Sequence, residues 1–233
     1  MTQAFQKRLK IIVEYITPDY RSQAQSNIDL VLAMGAESYE DWLTLLPKPK
    51  VNPEIRQTIC WTLERLGEET ALPALLTALQ AEESSVRCQA ALALGTLGNP
   101  TSLPHLLTAL NEDEDITVRN VAAQALGSLR GIKAFEPLIK ILEDQQEPPQ
   151  LRGHAAEALS TLRDDRAVIP LIKALRDDSA EVRFWSAFAL GQLGVSEALP
   201  ELKRLATTDT AIVPGWGAVK QEVEEAIKAI KNF

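Results

Sequence analysis

Val86-Arg87-Cys88-Gln89-Ala90-Ala91-Leu92-Ala93-Leu94-Gly95-Thr96-Leu97-Gly98 is a run that the rest of the chain copies. Related runs surround Arg56 (IRQTICWTLERLG), Arg119 (VRNVAAQALGSLR), Arg152 (LRGHAAEALSTLR) and Arg183 (VRFWSAFALGQLG). The arginines are spaced by 31, 32, 33 and 31 residues, and a Leu follows each of them ten residues on. A second signal keeps the same phase: Leu72-Pro73, Leu103-Pro104, Glu136-Pro137, Ile169-Pro170 and Leu199-Pro200. A period near 32 with two helical segments per unit is the signature of stacked helix pairs. The expected fold is all-α: a right-handed α-solenoid of about six helix pairs, capped at both ends.

Within a unit the expected outer helices span 70–80, 101–111, 134–143, 167–176 and 197–207, and the inner ones 54–66, 84–97, 116–129, 149–162 and 180–193. The prolines fall near the first turn of the outer helices, where a missing N–H costs least. Gly67, Gly98 and Gly194 stand where a left-handed residue ends an inner helix. Arg130-Gly131 shifts that glycine by one, and Arg163-Asp164-Asp165 has none. Counted from each arginine, positions −1, +3, +4, +7 and +10 are apolar or small except at Ser186, a helical stripe that predicts the buried face.

The expected organisation is one continuous solenoid. Residues 1–50 form an N-terminal helical cap (3–15 and 20–34) and the start of the first repeat, 51–206 the repeats, and 207–233 a C-terminal capping helix. That last helix, from about 218 to 231, has no arginine signature, and a plain cap does not require the Pro214-Gly215-Trp216-Gly217 insertion before it. The 233 residues are 45% hydrophobic, with no apolar run long enough to span a bilayer and no signal-peptide pattern. Two cysteines make neither a disulfide framework nor a tetrahedral metal set, so no metal is expected and the setting fits the cytoplasm. Net charge is −8, with 18 basic and 26 acidic residues beyond residue 50; no basic stripe favours nucleic acid.

With these runs in view, the units resemble the HEAT-like repeats of the phycobilisome (E/F-type) phycobilin lyase family. The pattern is L-P-x-L-x-x-A-L followed by V-R-x-x-A-A-x-A-L-G-x-L-G, best at Leu72–Leu79 with Val86–Gly98 and at Leu103–Leu110 with Val118–Leu129. The resemblance covers roughly residues 50–205 and implies a protein that handles phycobiliprotein subunits, attaching or removing an open-chain tetrapyrrole at a cysteine thioether. It implies no obligatory cofactor, with a phycobilin only as a transient guest, and it carries over no catalytic motif.

The five arginines form either a cationic ladder for a propionate or phosphate, or ion pairs with the acidic groups upstream of each inner helix. Nearest-neighbour cohesion of repeats favours the pairs. Positions +1, +2, +5 and +9 from each arginine are expected to line the concave face. The binding candidates there are Trp61, Cys88, Leu92, Gln124, His154, Phe184, Trp185 and Phe188, because rings exposed on such a face serve binding rather than packing. The competing reading packs Trp61 and Phe188 against the caps. His154 with Glu157, three residues on, is the candidate proton-transfer pair. Cys88 has nothing basic beside it on its own face and reads as an inert thiol. Three functions are consistent with this: a lyase-like or bilin-handling factor gripping phycobiliprotein subunits, a non-catalytic scaffold or assembly chaperone with an unrelated client, or one subunit of a heterodimeric lyase.

Overall fold

A computed structural model of the chain describes residues 39–129 and 132–232. The expected cap helices at 3–15 and 20–34, and the Arg130-Gly131 helix end, lie outside the described residues. Twelve α-helices follow in six pairs: α1 (Tyr39–Leu45) with α2 (Pro53–Leu66), α3 (Leu72–Ala78) with α4 (Ser84–Leu97), α5 (Leu103–Glu112) with α6 (Ile116–Ser128), α7 (Phe135–Glu143) with α8 (Pro149–Leu162), α9 (Val168–Ala174) with α10 (Ala180–Leu193), and α11 (Leu199–Thr208) with α12 (Val219–Lys231). A two-residue hairpin, β1 (Ile212–Val213) against β2 (Gly217–Ala218), joins α11 to α12. Each inner helix packs on the next, α2 on α4 through to α10 on α12, whereas the outer helices make little contact with one another. The inner layer is therefore the closely spaced one, and its free side is the concave side of the solenoid.

Local sequence sets the helix ends. Asn52 and Asp115 cap α2 and α6 by accepting the N–H of Glu54 and Thr117. Gly67, Gly98 and Gly194 end α2, α4 and α10 in the left-handed region, and Arg163 takes that conformation without glycine at the end of α8, with φ 51°. The outer helices begin a residue or two later than the expected bounds, because a 3-10 turn precedes each from α3 on, such as Glu69–Ala71 or Pro100–Ser102. Pro73, Pro104 and Pro200 then sit in the first helical turn.

The predicted stripe forms the core. Val86, Ala90, Ala91 and Leu94 are fully buried, as are Val118, Ala122, Ala123 and Leu126 one unit on. Each such Leu contributes about 1.5–3 kcal/mol of transfer free energy. The +10 leucines, Leu66, Leu97, Leu129, Leu162 and Leu193, are half-buried. The glycine at +8 has its own reason. A Cβ at Gly95 would lie 2.7 Å from the Ala125 Cα, at Gly127 3.0 Å from the Ala158 Cα, and at Gly191 2.9 Å from the Ala226 Cα. Neighbouring inner helices cross there backbone to backbone.

That contact also corrects the reading of the last helix. Gly191 meets Ala226 as Gly95 meets Ala125, which makes α12 a further inner helix, with Lys220 in the arginine position. The hairpin stretches the step from Arg183 to Lys220 to 37 residues, and Lys for Arg hides the copy. Among the described residues no helix is long and apolar enough to cross a membrane.

Candidate protein-binding face

The arginines form a ladder of structural pairs. Arg56 donates to Glu83 at 2.9 Å, Arg87 to Asp113 at 2.8 Å twice, Arg119 to Glu147 at 2.6 Å and Arg183 to Asp209 at 2.6 Å, and Arg152 pairs with Asp177. Each carboxylate belongs to the next repeat. The other guanidinium edge donates to carbonyls at or just beyond the end of the preceding outer helix: Leu46, Ala81 with Glu82, Leu110, Leu142, and Asp177 with Asp178. With both edges committed, these side chains are not a cationic ladder for a ligand.

On the inner face, Gln124 is exposed, while Trp61, Cys88, Leu92, His154, Glu157 and Phe188 are half-buried. They are spread along the face; α4, α6 and α8 separate Trp61 from α10. Burial pushes the Cys88 thiol up to about 11, with Asp115 and Asp113 adding to the shift and Arg87 opposing it. Cys60, in the place of a core alanine, is pushed up to about 12 by burial. Neither is an activated nucleophile. Glu64 stands where α4, α6 and α10 have the crossing glycine, and it accepts hydrogen bonds from Gln89 at 3.0 Å and Thr96 at 3.2 Å. Burial holds its pKa above the ordinary carboxylate value.

Phe184 and Trp185 do not line an open groove as the spacing suggested: they are 6% and 5% exposed. Gly153 is the cause for Trp185, since a Cβ there would lie 2.7 Å from the indole Cδ1 and the ring fills that vacancy on α8. Phe184 meets Trp185 edge-on at 5.4 Å, Phe188 does so at 5.6 Å, and the His154 ring stacks on Trp185 at 6.1 Å. The fourth neighbour comes from the hairpin: Trp216 stands edge-on to Trp185 at 4.7 Å and is 58% exposed. The turn that presents it closes with Trp216 N–H donating to Val213 O, and Gly215 and Gly217 have φ of 82° and 121°. Only glycine takes such angles freely. The Pro-Gly-Trp-Gly insertion thus supplies the exposed ring, which the sequence flagged as unexplained without assigning to the face.

His154 Nδ1 lies 3.4 Å from Glu157 Oε2. The imidazole is also engaged with Trp185, and the nearest inner-face thiol, Cys88, is two repeats away. Among the described residues no cluster of His, Cys, Asp and Glu is arranged to hold a metal ion.

The profile of the HEAT repeats family matches residues 40–127 and 135–228, most of the chain. The chain belongs to the HEAT-repeat family. Residues 118–144 also match the PBS lyase HEAT-like repeat. No curated protein matches this HEAT chain in sequence. Among solved structures it is similar to the complex of CpcE and CpcF of phycocyanin lyase from Nostoc sp., at 18% identity and TM-score 0.51, covering 99% of this chain and 91% of that one. It is likewise similar to Escherichia coli YIBA, at 16% identity and TM-score 0.51, covering 100% and 98%. Its likeness to a Kap95p–RanGDP structure, at 14% identity and TM-score 0.55, takes in 97% of this chain and 34% of that one. At these identities the likeness establishes the HEAT fold.

Proposed function

We propose that this HEAT-repeat protein binds another protein along its inner face, and that the client is a phycobiliprotein subunit handled during bilin attachment or removal. The observation that carries protein binding is the exposed Trp216, held by a hairpin against Trp185, the ring that half-exposed Phe188 also meets. A large ring that packs on one neighbour while a built turn keeps more than half of it in solvent has a free surface to offer, and such rings anchor interfaces. The choice of client rests on the PBS lyase HEAT-like match at residues 118–144.

A phycobilin enters this reading only as transient cargo. The five ladder arginines are committed to carboxylates and carbonyls and do not fit a seat for its propionates. What this chain supplies is a surface that holds and orients the client. A second reading, a non-catalytic scaffold or assembly chaperone, is favoured by the two raised thiols and by a His154–Glu157 pair without a neighbouring nucleophile. Mixing the purified chain with free bilin and apo-phycobiliprotein subunits separates the two. Bilin handling changes the yield or regiochemistry of the covalent adduct, a scaffold only co-elutes with the subunit, and the absence of both outcomes contradicts the phycobiliprotein reading.

A further inference from the structure

We propose that the element recognised at the C-terminal end of the inner face is a basic segment of the partner, whose arginine or lysine side chain lies against Trp216 and Phe188 amid the carboxylates of Glu157, Glu181, Glu222 and Glu225. This deepens the protein-binding reading and rests on it.

Register places the carboxylates. With Gly191 against Ala226, Glu222 and Glu225 hold on α12 the positions that Trp185 and Phe188 hold on α10, and Glu157 holds the Phe188 position on α8. Glu181, in the first turn of α10, lies within electrostatic reach of His154, the residue that stacks on Trp185. The four acids thus flank the aromatic group on both sides.

The ladder arginines do not reach them. Along the loop edge, Glu83, Asp113, Glu147, Asp177 and Asp209 each meet an arginine of the ladder. Around the aromatic group, and among the described residues, the Glu157 carboxylate meets only His154 and that of Glu225 only the Gln221 amide at 3.5 Å, and neither Glu181 nor Glu222 makes an ion pair. Burial holds the pKa of Glu181 and Glu222 above the ordinary carboxylate value, and the neighbouring Glu225 adds to the shift at Glu222. A cation arriving there relieves carboxylate repulsion and gains the face of an indole, which attracts positive charge through its quadrupole. An anionic occupant, whether a phosphopeptide, a tetrapyrrole carboxylate or an acidic lipid headgroup, meets four like charges.

The test is calorimetric titration of the full chain with hexa-arginine and hexaglutamate peptides, in two salt concentrations. Three variants accompany it: Trp216→Ala, Glu222→Gln/Glu225→Gln and, on the loop edge, Glu112→Gln/Glu114→Gln. The expected result is hexa-arginine binding that weakens with salt, about tenfold weaker in each of the first two variants and unchanged in the third, with no binding of hexaglutamate. Trp216→Ala leaves every charge in place, so its effect separates a seat from bulk attraction to an acidic protein. Equal weakening by the loop-edge variant, affinity indifferent to the first two, or preference for hexaglutamate overturns the proposal. Capture of an apo-phycobiliprotein subunit is measured in parallel. Capture without a mapped peptide site sinks this inference alone, and a mapped peptide site without capture sinks only the choice of client.

Discussion

Arg87 shows how one residue type can be both signature and mortar. Its fork meets Asp113 twice at 2.8 Å while Nη1 reaches the Ala81 and Glu82 carbonyls, and both paired side chains are 9% exposed. Truncation to Ala leaves a buried carboxylate without its cation, so Arg87→Ala is expected to cost about 3–5 kcal/mol in urea unfolding. Lys173, 75% exposed in its pair with Glu143, is expected to change stability by less than about 1 kcal/mol when cut to Ala. Equal effects would deny the ladder its role. Carboxylates also shape the pH profile. Hydrogen bonds from Arg176 and Arg204 hold Glu201 at about 2. The stability it contributes is present above the ordinary value of 4.5 and is lost as pH falls from there through 2. Glu64, Glu181 and Glu222 shift the other way, raised first by burial. The folded chain takes up their protons first, so stability rises as pH drops from neutral through their folded values toward 4.5. Unfolding free energy against pH should therefore peak in mild acid, and Glu201→Gln should flatten the limb below that peak. A profile that falls steadily from neutral pH contradicts these assignments.

At the scale of the element, α8 departs from the repeat at its C-terminal end. Arg163 ends it at φ 51°, where Gly67, Gly98 and Gly194 end their helices without a Cβ penalty. Left-handed backbone costs a side-chain-bearing residue about 1–2 kcal/mol, so Arg163→Gly is expected to raise stability by about 1 kcal/mol, read from the urea midpoint. No gain would mean that the Arg163 side chain offsets the strain. The inner helices were legible in sequence to within a residue or two because every marker has a local cause: an arginine for the loop, alanines for close approach, a glycine for the turn. Trp185 was not. Periodicity gives the side it leaves from, but its burial depends on a missing Cβ at Gly153, 32 residues earlier. The hairpin was not legible either, since a loop's sequence does not state which helix it returns to. Lys220 concealed α12 as a copy, because both its spacing and its residue type depart from the template.

At the scale of the whole molecule, the stacked pairs bury their stripes against neighbours and leave one continuous inner face whose chemistry changes along its length. Among the described residues, Glu64 with its amide and hydroxyl donors marks the α2 end, and the Trp185, Phe188 and Trp216 rings with their neighbouring carboxylates mark the other. The proposed partner sits at that second end. The most direct measurement is the affinity of an apo-phycobiliprotein subunit for the wild-type chain, for Phe188→Ala/Trp216→Ala on the inner face, and for Ile169→Ala, which removes an exposed side chain from outer helix α9. The expected result is a complex that the inner-face pair weakens at least about tenfold and the outer-face change leaves intact. No complex with wild type, or a complex indifferent to the inner-face pair, would contradict it.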